Sequence, residues 1–382
     1  MRCIDQVPES ELRGKRVLVR SDFNVPLGKD GEVAEPFRLM RGWQTVQYLA
    51  ARGARVVIIS HIGRDPAETL APVSKALQQF GKVSYIPDIT GPAAHGAVAA
   101  MKDCDIVLLE NLRRDPRETK NDPMFARELA YLGQLYVDDA FSAAHREHAS
   151  IVGVPKFLPG YAGLLMSEEI TQLSKAREPG HPSFALLGGA KFETKAPLIK
   201  LLLQRYDHLF ITGALANDVF KARGMTVGRS LVSEELPTKE VLEHLHFIAP
   251  IDVTVEGLDG QARTKKPEEV LEGDKIVDIG PDSIAKVAPL VARAKFVLWN
   301  GPTGLYEGGY TAWTHALAAL VEEAVGQGAQ CVIGGGDTVA ALEESGIPEE
   351  KLGFLSTGGG AMLEYLLKGT LPGIDALEHV AQ

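Results

Sequence analysis

Residues 38–62 read RLMRGWQTVQYLAARGARVVIISHI and carry the pattern that decides the fold. Apolar residues recur at helical spacing from Arg38 to Arg52, which predicts an amphipathic helix. The run that follows, Arg55 to Ile62, is short and rich in β-branched residues, which predicts a buried strand. A similar run, Arg16 to Phe23, precedes the helix. The stretch is therefore typical of a parallel sheet whose strands are joined by crossover helices.

The same alternation continues to the end of the chain and predicts an α/β fold, with parallel sheets flanked by helices. In the first part the other predicted elements are strands at Val83 to Asp88, Asp105 to Leu112 and Leu135 to Phe141, and a helix at Phe125 to Leu132. In the second part the predicted strands are Ser183 to Leu187, His208 to Thr212, Phe247 to Ile251, Lys275 to Ile279, Lys295 to Trp299, Gln330 to Ile333 and Gly353 to Leu355. The predicted helices of this part are Lys195 to Tyr206, Asp282 to Arg293, Thr311 to Val325 and Ala361 to Leu367.

The length of 382 residues predicts two or three domains, since one domain takes about 150 residues. Prolines at 155, 159, 179 and 182 bracket one amphipathic segment, Leu164 to Ala176. Because proline interrupts helices, residues 155–182 are the expected linker, a helix with breakers at both ends.

The composition excludes several classes of protein. Hydrophobic residues make up 45% and charged ones 24%, as in ordinary globular proteins. The net charge of −10 argues against non-specific binding to nucleic acid or anionic membranes. Three scattered cysteines suit neither a disulfide framework nor a zinc site. No apolar run approaches the length of a membrane helix, and the stretch from Met1 to Lys15 is charged and lacks the apolar run of a signal peptide, so secretion and membrane spanning are not expected. We expect a cytoplasmic protein.

Ligands of open parallel sheets bind beyond the carboxyl ends of the strands, so we expect the functional residues directly after each strand. In the first part these residues are polar or charged: Asp22, Asn24, His61, Arg64, Glu110, Asn111, Arg113, Asp139, His145 and Arg146. In the second part they are mostly glycines: Gly188, Gly189, Gly213, Asn300, Gly301, Gly334 to Gly336 and Gly358 to Gly360. The first set suits an anion, because arginine matches carboxylate and phosphate groups. The second set suits close approach of backbone to a ligand.

Each of these features also has an ordinary structural interpretation. A single arginine is usually a surface residue, although Arg38 opens a helix, where the helix dipole disfavours a cation unless an anion is near. A histidine after a strand, such as His61, is often structural. Asp337 follows Gly334-Gly335-Gly336 and could be a helix N-cap or a Mg²⁺ ligand. Lys191 and Lys195 could be solvent-exposed or could share an anion.

No Walker P-loop, dinucleotide fingerprint, protein-kinase set or serine nucleophile elbow occurs in the chain. The stretch from His145 to His148 fits no strong zinc pattern, so no metal is assigned to it. A bound nucleotide would therefore be held by other residues than those of the common motifs.

Eight stretches together resemble the phosphoglycerate kinase family over essentially the whole chain. They are RSDFNVP (20–26), SHIGR (60–64), ENLR (110–113), DAF with AHR (139–141 and 144–146), LGGAK (187–191), WNGP (299–302), GGGDT (334–338) and STGGGA (356–361). The resemblance implies reversible phosphoryl transfer between 1,3-bisphosphoglycerate and ADP, giving 3-phosphoglycerate and ATP in glycolysis.

The resemblance also implies roles for individual residues. Those implied to bind phosphoglycerate are Asp22, Asn24, Arg38, His61, Arg64, Arg113 and Arg146. Those implied to bind Mg-ADP or Mg-ATP are Lys195, Gly213, Asn300, Pro302, Glu307, Gly334, Gly335, Gly336, Asp337 and Thr338. Among them Lys195 would meet the nucleotide phosphates, Glu307 the ribose and Asp337 the Mg²⁺ ion, while Gly213 and its neighbours would line the adenine pocket. The implied catalytic residues are Arg38, Lys191, Lys195, Gly335 and Gly336, with Lys191 on the phosphoryl group in transfer.

The family fold implies two Rossmann-like lobes, 1–160 with 371–382 and 181–370, joined by a hinge helix and linker at 161–180, in a monomer. The expected mechanism is hinge closure with electrostatic stabilisation and no general base. Departures from the family pattern are Arg114, Ser142, Thr194, Ala214 and Trp313. The alternatives are another acyl-phosphate-forming kinase of a small acid and a two-lobed anion-binding protein. A nicotinamide dehydrogenase is disfavoured, since its fingerprint is absent.

Overall fold

The chain forms two compact units in the computed structural model, which describes residues 1–34 and 36–378. The N-terminal unit consists of Met1–Thr171 and the segment that starts at Thr370, and the C-terminal unit is Gln172–Gly369. None of the described helices is long and apolar enough to cross a membrane.

The N-terminal unit contains one six-stranded sheet in which all neighbouring strands are parallel. Its strands are β1 (Arg16–Ser21), β2 (Arg55–Ile59), β3 (Ser84–Tyr85), β4 (Ile106–Leu108), β5 (Leu135–Asp139) and β6 (Gly160–Ala162), and their order across the sheet is β3-β4-β2-β1-β5-β6. Its helices are α1 (Glu9–Leu12), α2 (Phe37–Ala51), α3 (Ala71–Leu77), α4 (Pro92–Ala100) and α5 (Pro123–Ala130), with α14 (Pro372–Glu378) from the C-terminal segment. Helix α6 (Leu164–Arg177) contains the boundary between the two units.

The C-terminal unit contains a second parallel six-stranded sheet and a small antiparallel one. The strands are β7 (Ser183–Leu187), β8 (His208–Ile211), β9 (Phe247–Ile248), β10 (Val253–Glu256), β11 (Ala262–Lys265), β12 (Lys275–Ile279), β13 (Phe296–Asn300), β14 (Gln330–Gly334) and β15 (Phe354–Leu355). The strand orders are β15-β14-β13-β7-β8-β9 and β11-β10-β12. The helices are α7 (Phe192–Arg205), α8 (Ala214–Ala222), α9 (Lys239–Leu242), α10 (Pro281–Arg293), α11 (Ala312–Gly326), α12 (Gly336–Glu343) and α13 (Gly360–Lys368).

The two large sheets and their helices confirm the predicted α/β fold. One strand prediction is wrong in its context: Lys275 to Ile279 is a strand, but it pairs antiparallel with β10 rather than joining the parallel sheet. A five-residue run such as KIVDI, with three β-compatible apolar residues, looks the same in both settings. Several strands also end earlier than predicted, because polar residues such as Asp22 and His61 lie in the loops after β1 and β2.

The helix that begins the opening stretch shows how the sequence fixes the N-terminal sheet. Leu39, Trp43, Val46 and Leu49 lie on one side of α2 and are buried. They pack in one cluster with alternate residues of the neighbouring strands, Val17, Val19, Val56 and Ile58. This apolar contact, worth about 25 cal/mol per Å² buried, fixes α2 against the sheet and so positions Arg38 in its first turn.

Candidate active site

The loop after β1 holds the first group of polar residues in the N-terminal unit. Asp22 is buried, and its Oδ2 accepts hydrogen bonds from Arg38 Nη1 at 2.9 Å and from the Ser142 hydroxyl. Asn24 Oδ1 accepts a bond from the Gly63 amide at 2.8 Å, which ties the loop after β1 to the loop after β2. Arg38 and the loop that carries Arg64 are thus both held by the residues that follow β1.

Arg20 lies inside β1, fully buried, and sequence reasoning gave it no role. Its Nε donates to Ser150 Oγ at 3.0 Å, its Nη1 to the Ser21 carbonyl at 2.7 Å, and its Nη2 contacts His61 Nδ1 at 2.9 Å. A guanidinium group has only donors, so Nδ1 is the acceptor and the His61 proton sits on Nε2. Burial, followed by the charges of Arg20 and other arginines, holds the pKa of His61 well below its usual value. His61 is therefore a neutral donor.

Arg146 lies close enough to Arg113 to act on its pKa. Burial lowers the pKa of Arg113, and the Arg146 charge lowers it further; burial, Arg20 and Arg64 act on the pKa of Arg146 in the same direction. Arg113 Nη1 donates to the Gly63 carbonyl, and its Nε is buried without a partner. Like charges gathered in this way destabilise one another until an anion neutralises them.

The predicted phosphoglycerate residues are therefore brought together. Direct hydrogen bonds join Asp22 to Arg38, Asn24 to Gly63 and Arg113 to Gly63, and charge interactions link Arg113, Arg146 and Arg64. The cluster is supported from behind by Glu118, whose buried carboxylate accepts from the Ser150 hydroxyl at 2.6 Å and from the Ser150 amide at 2.9 Å. Ser150 Oγ also accepts the hydrogen bond from Arg20 Nε, so Glu118 helps to orient Arg20 through Ser150.

In the C-terminal unit, the loops after β7, β8 and β13 approach one another too closely for side chains. The Gly188 amide donates to the Asn300 carbonyl at 2.7 Å, and the Gly213 amide donates to the Thr303 carbonyl at 3.0 Å. A Cβ on Gly188 would lie 2.3 Å from the Pro302 carbonyl oxygen. At Gly213 the φ of +60° and a Cβ only 2.8 Å from the Gly189 nitrogen also require glycine. The glycine-rich strand ends therefore serve close backbone packing.

Lys195 of α7 is tied to the loops after β13 and β14. Its Nζ donates to Asn300 Oδ1 at 3.1 Å, and Asn300 Nδ2 donates to the Gly334 carbonyl at 3.0 Å. Thr338 Oγ1 accepts from the Gly301 amide at 2.8 Å and donates to the same Gly334 carbonyl at 2.9 Å. Burial lowers the pKa of Lys195 to about 8, against the smaller opposing effect of Asp337. A phosphate group would offset the cost of burying this cation.

The first backbone amides of helix α12 have no side-chain cap. Its N-cap is Gly335, with φ +99°, and no side chain caps the helix. Asp337 lies in the first turn, so the interpretation of Asp337 as the N-cap is wrong; the positive φ at Gly335 reserves that position for glycine. The uncapped amides of Gly336 and its neighbours carry the positive end of the helix dipole and suit an anion.

A cavity of about 400 Å³ lies beside these residues. Its walls include four of the residues implied to bind nucleotide: Gly213, Pro302, Glu307 and Asp337. Ala190 lines the cavity, but Lys191 is not among the described residues that do. Lys191 is exposed at the N-cap of α7, with a left-handed φ of +65°. Its backbone carbonyl accepts from Thr194 Oγ1 at 2.8 Å, which gives the Thr194 departure a local structural role.

Sequence reasoning missed Asp278, which also lines the cavity. Its carboxylate accepts from the Ile279 amide at 2.8 Å, from Thr303 and from the Trp313 amide, and burial raises its pKa to about 7. Trp313 adds a bond from its indole nitrogen to Thr254 Oγ1 at 3.2 Å, which joins α11 to β10. Asp278 and Trp313 therefore fasten the antiparallel sheet to the loop that carries Glu307.

The other departures also find local partners. Arg114 Nη1 donates to Glu110 Oε2 at 3.0 Å, Ser142 bonds to Asp22, and Ala214 lines the cavity.

A family model described as phosphoglycerate kinase matches residues 7–369. The chain belongs to the phosphoglycerate kinase family. The phosphoglycerate kinase of Chloroflexus aurantiacus is 39% identical over 386 residues, covering 96% of each chain. That of Moorella thermoacetica is 41% identical over 385 residues, covering 96% of this chain and 97% of the relative.

Solved structures of the family agree with the fold. Phosphoglycerate kinase from Coxiella burnetii superposes with a TM-score of 0.83 at 32% identity, covering 100% of this chain and 99% of the other. Phosphoglycerate kinase from Pyrococcus horikoshii superposes with a TM-score of 0.85 at 28% identity, covering 99% of this chain and 98% of the other.

Membership of the family confirms the function that the sequence motifs implied. The protein is a kinase of glycolysis, a phosphotransferase that uses a carboxyl group as acceptor. Neither alternative, another small-acid kinase or a two-lobed anion-binding protein, is favoured.

Proposed function

We propose that the N-terminal unit binds the phosphoglycerate and that the C-terminal unit binds the adenine nucleotide. The observation that carries this assignment is the gathering of Arg20, Arg113 and Arg146 around His61: burial lowers the pKa of His61, and the charges of these three arginines lower it further. Phosphate and carboxylate oxygens accept paired bonds from guanidinium groups. Arg38, Arg64 and Asn24 complete the anion site, while Asp22 holds Arg38 in place. His61 donates from Nε2.

The nucleotide assignment rests on the cavity and on the groups beside it. A volume of about 400 Å³ is within the usual range for small-molecule sites, about 300–1,000 Å³. Lys195 and the amides at the start of α12, at Gly335, Gly336 and Asp337, receive the phosphates, while Gly334 and Thr338 hold Asn300 and Gly301 in place. Asn300 orients Lys195, Pro302 and Gly213 line the wall, and Glu307 accepts from the ribose hydroxyls.

Asp337 is the proposed Mg²⁺ ligand. Magnesium is commonly held by one or two carboxylates together with substrate phosphates. Asp337 is exposed, lines the cavity and acts electrostatically on Lys195, so its carboxylate fits that arrangement. The bound ion would neutralise charge on the nucleotide phosphates.

No general base is required by the proposed mechanism. The transferred phosphoryl group moves between an ADP oxygen and a carboxylate, and both are ionised at neutral pH. Catalysis then consists of positioning and of stabilising charge on the phosphoryl oxygens. Arg38 supplies this from the N-terminal unit; Lys191, Lys195 and the first amides of α12, at Gly335 and Gly336, supply it from the C-terminal unit.

Three further expectations stay predictions: hinge movement at 161–180, a monomer and a cytoplasmic location. Small-angle scattering with and without both ligands tests the first, and sedimentation tests the second.

A coupled assay of ATP formation tests the substrate assignment. With ADP present, 1,3-bisphosphoglycerate should support turnover far better than acetyl phosphate, which lacks the second phosphate for the arginine cluster. Arg113→Met should raise the KM for 1,3-bisphosphoglycerate at least about tenfold, the scale of one lost charged hydrogen bond. The KM for ADP should be unchanged. Equal use of both acyl phosphates, or an effect of the variant on ADP alone, would reject the proposal.

A further inference from the structure

Lys191 has a strained backbone at the start of α7. Its φ of +65° lies in the left-handed region, which disfavours residues that carry a Cβ. Among the described residues other than glycine, only Cys104 and Asn121 share a positive φ, and both lie in turns of the N-terminal unit. Strain of this kind persists only where the surrounding structure imposes it, and it concentrates at functional sites. The contacts next to Lys191 therefore show what imposes it.

The peptide group that joins Lys191 to Phe192 is held from both sides. Its carbonyl accepts hydrogen bonds from the Thr194 amide at 3.1 Å and from Thr194 Oγ1 at 2.8 Å. Its amide donates to Ser233 Oγ at 2.8 Å. The plane of this peptide group sets the ψ angle of Lys191, so these three bonds hold the residue in its left-handed conformation.

Ser233 is itself held by a buried carboxylate of α8. Asp218 is fully buried; its Oδ2 accepts from the Ser233 hydroxyl at 2.8 Å and its Oδ1 from the Ser233 amide at 2.7 Å. Burial raises the pKa of Asp218, and these two bonds act against the rise. Because the hydroxyl proton is directed at Asp218, a lone pair of Ser233 Oγ is left for the Phe192 amide. Asp218 therefore orients Ser233 toward the first amide of α7.

We infer that Ser233 and Asp218 are positioning residues for Lys191, and that they hold it in the backbone conformation that directs its ammonium group to the phosphoryl group in transfer. The inference rests on the role proposed above for Lys191. The ammonium group of Lys195 has a partner of its own, Asn300, so nucleotide binding does not depend on Ser233. Loss of the Ser233 hydroxyl should therefore lower kcat and leave the KM for ADP unchanged.

A second role for Ser233 is possible in principle, because the first amides of a helix have no partners within the helix and a hydroxyl can cap them. The two roles differ in what the loss of the hydroxyl changes. A cap contributes to stability alone. A positioning residue also changes kcat, and it does so only while the Lys191 side chain is present.

Steady-state kinetics of Ser233→Ala test the inference. kcat should fall about 3- to 100-fold, from the value of one hydrogen bond to that of about an ångström of misplacement. Ser233→Thr keeps the hydroxyl and should retain most of the wild-type kcat. The control Ser230→Ala removes a similar bond in the same loop, from the Ile276 amide of β12 at 2.8 Å, and should keep a normal kcat. A wild-type kcat in Ser233→Ala, or an equal loss in Ser230→Ala, would overturn the inference.

A double-mutant cycle with Lys191 separates positioning from capping. Lys191→Met should lower kcat, and the addition of Ser233→Ala should lower it no further, since the group that Ser233 positions is already absent. An equal loss of kcat from Ser233→Ala in both backgrounds would overturn the inference and leave the proposed role of Lys191 standing. A normal kcat in Lys191→Met would reject both the proposed role and the inference.

Discussion

Replacement of Lys195 by methionine should stabilise the ligand-free protein while weakening nucleotide binding. Burial lowers the pKa of Lys195 from its ordinary 10.5 to about 8. Each pKa unit corresponds to about 1.4 kcal/mol, and the side chain is only partly buried, so its charge costs about 1–3 kcal/mol of folding free energy at pH 7. Methionine keeps the length of the side chain and removes this cost. The loss of one charged hydrogen bond to phosphate should weaken ADP about 10- to 100-fold.

The effect of pH on this variant has a defined sign. Between pH 8 and 10.5 the unfolded wild-type chain binds more protons at Lys195 than the folded chain, so the stability contributed by this group rises with pH. The stability difference between Lys195→Met and wild type should therefore be largest below pH 8 and vanish as the pH approaches 10.5. ADP binding by wild type should weaken as the pH rises above about 8, where the lysine loses its charge. The variant should lack this dependence.

Urea unfolding of the C-terminal unit and calorimetric titration with ADP measure the two effects. The matched control is Lys200→Met, an exposed lysine of the same helix. It should change stability by less than about 0.5 kcal/mol, as surface substitutions usually do, and leave ADP affinity unaltered. A Lys195→Met protein that is less stable than wild type at pH 7, or that binds ADP equally well, would refute the reasoning.

Three other predictions follow from the geometry. Arg38→Ala should lower kcat at least about a hundredfold and change the affinity for 3-phosphoglycerate less, since it removes a preorganised charge; a normal kcat in steady-state assays would exclude Arg38 from the chemistry. Gly335→Ala, at φ +99°, should cost about 1–2 kcal/mol in urea unfolding, whereas Gly326→Ala, with nothing within 4 Å of its Cβ, should not destabilise. Nitrogen NMR should find His61 neutral with its proton on Nε2 at about pH 5.5, where an ordinary histidine is mostly charged; a charged ring would contradict the Arg20 contact.

Much of the fold could be predicted because the periods of apolar residues differ between helices and strands. Helix α2 begins and ends within one residue of the predicted Arg38 to Arg52, and β7 matches its predicted bounds. The antiparallel sheet was not predicted. Strand β12 has the same local pattern as a parallel strand, and its partner β10 is specified by contacts that are distant in sequence.

The candidate site was predicted less completely. Residues that follow strands closely, such as Arg113 after β4 and Lys195 in the first turn of α7, could be found because ligands of parallel sheets bind beyond the carboxyl ends of the strands. Arg20 lies within β1 among apolar residues; a charged residue in a buried strand was the available signal. Asp278 gave no such signal, since its importance depends on which partners the folded chain supplies. The N-cap of α12 is Gly335, with a positive φ. Glycine permits this backbone angle, but three consecutive glycines do not show in the sequence which of them adopts it.

The central claim is that the two substrates bind to different units of the chain. Cross-titration by calorimetry tests it most directly, with 3-phosphoglycerate and ADP each titrated into Arg113→Met and Lys195→Met. Arg113→Met should weaken 3-phosphoglycerate at least about tenfold and leave ADP unchanged, and Lys195→Met should do the reverse. Loss of both ligands from both variants, or the opposite pairing, would contradict the account.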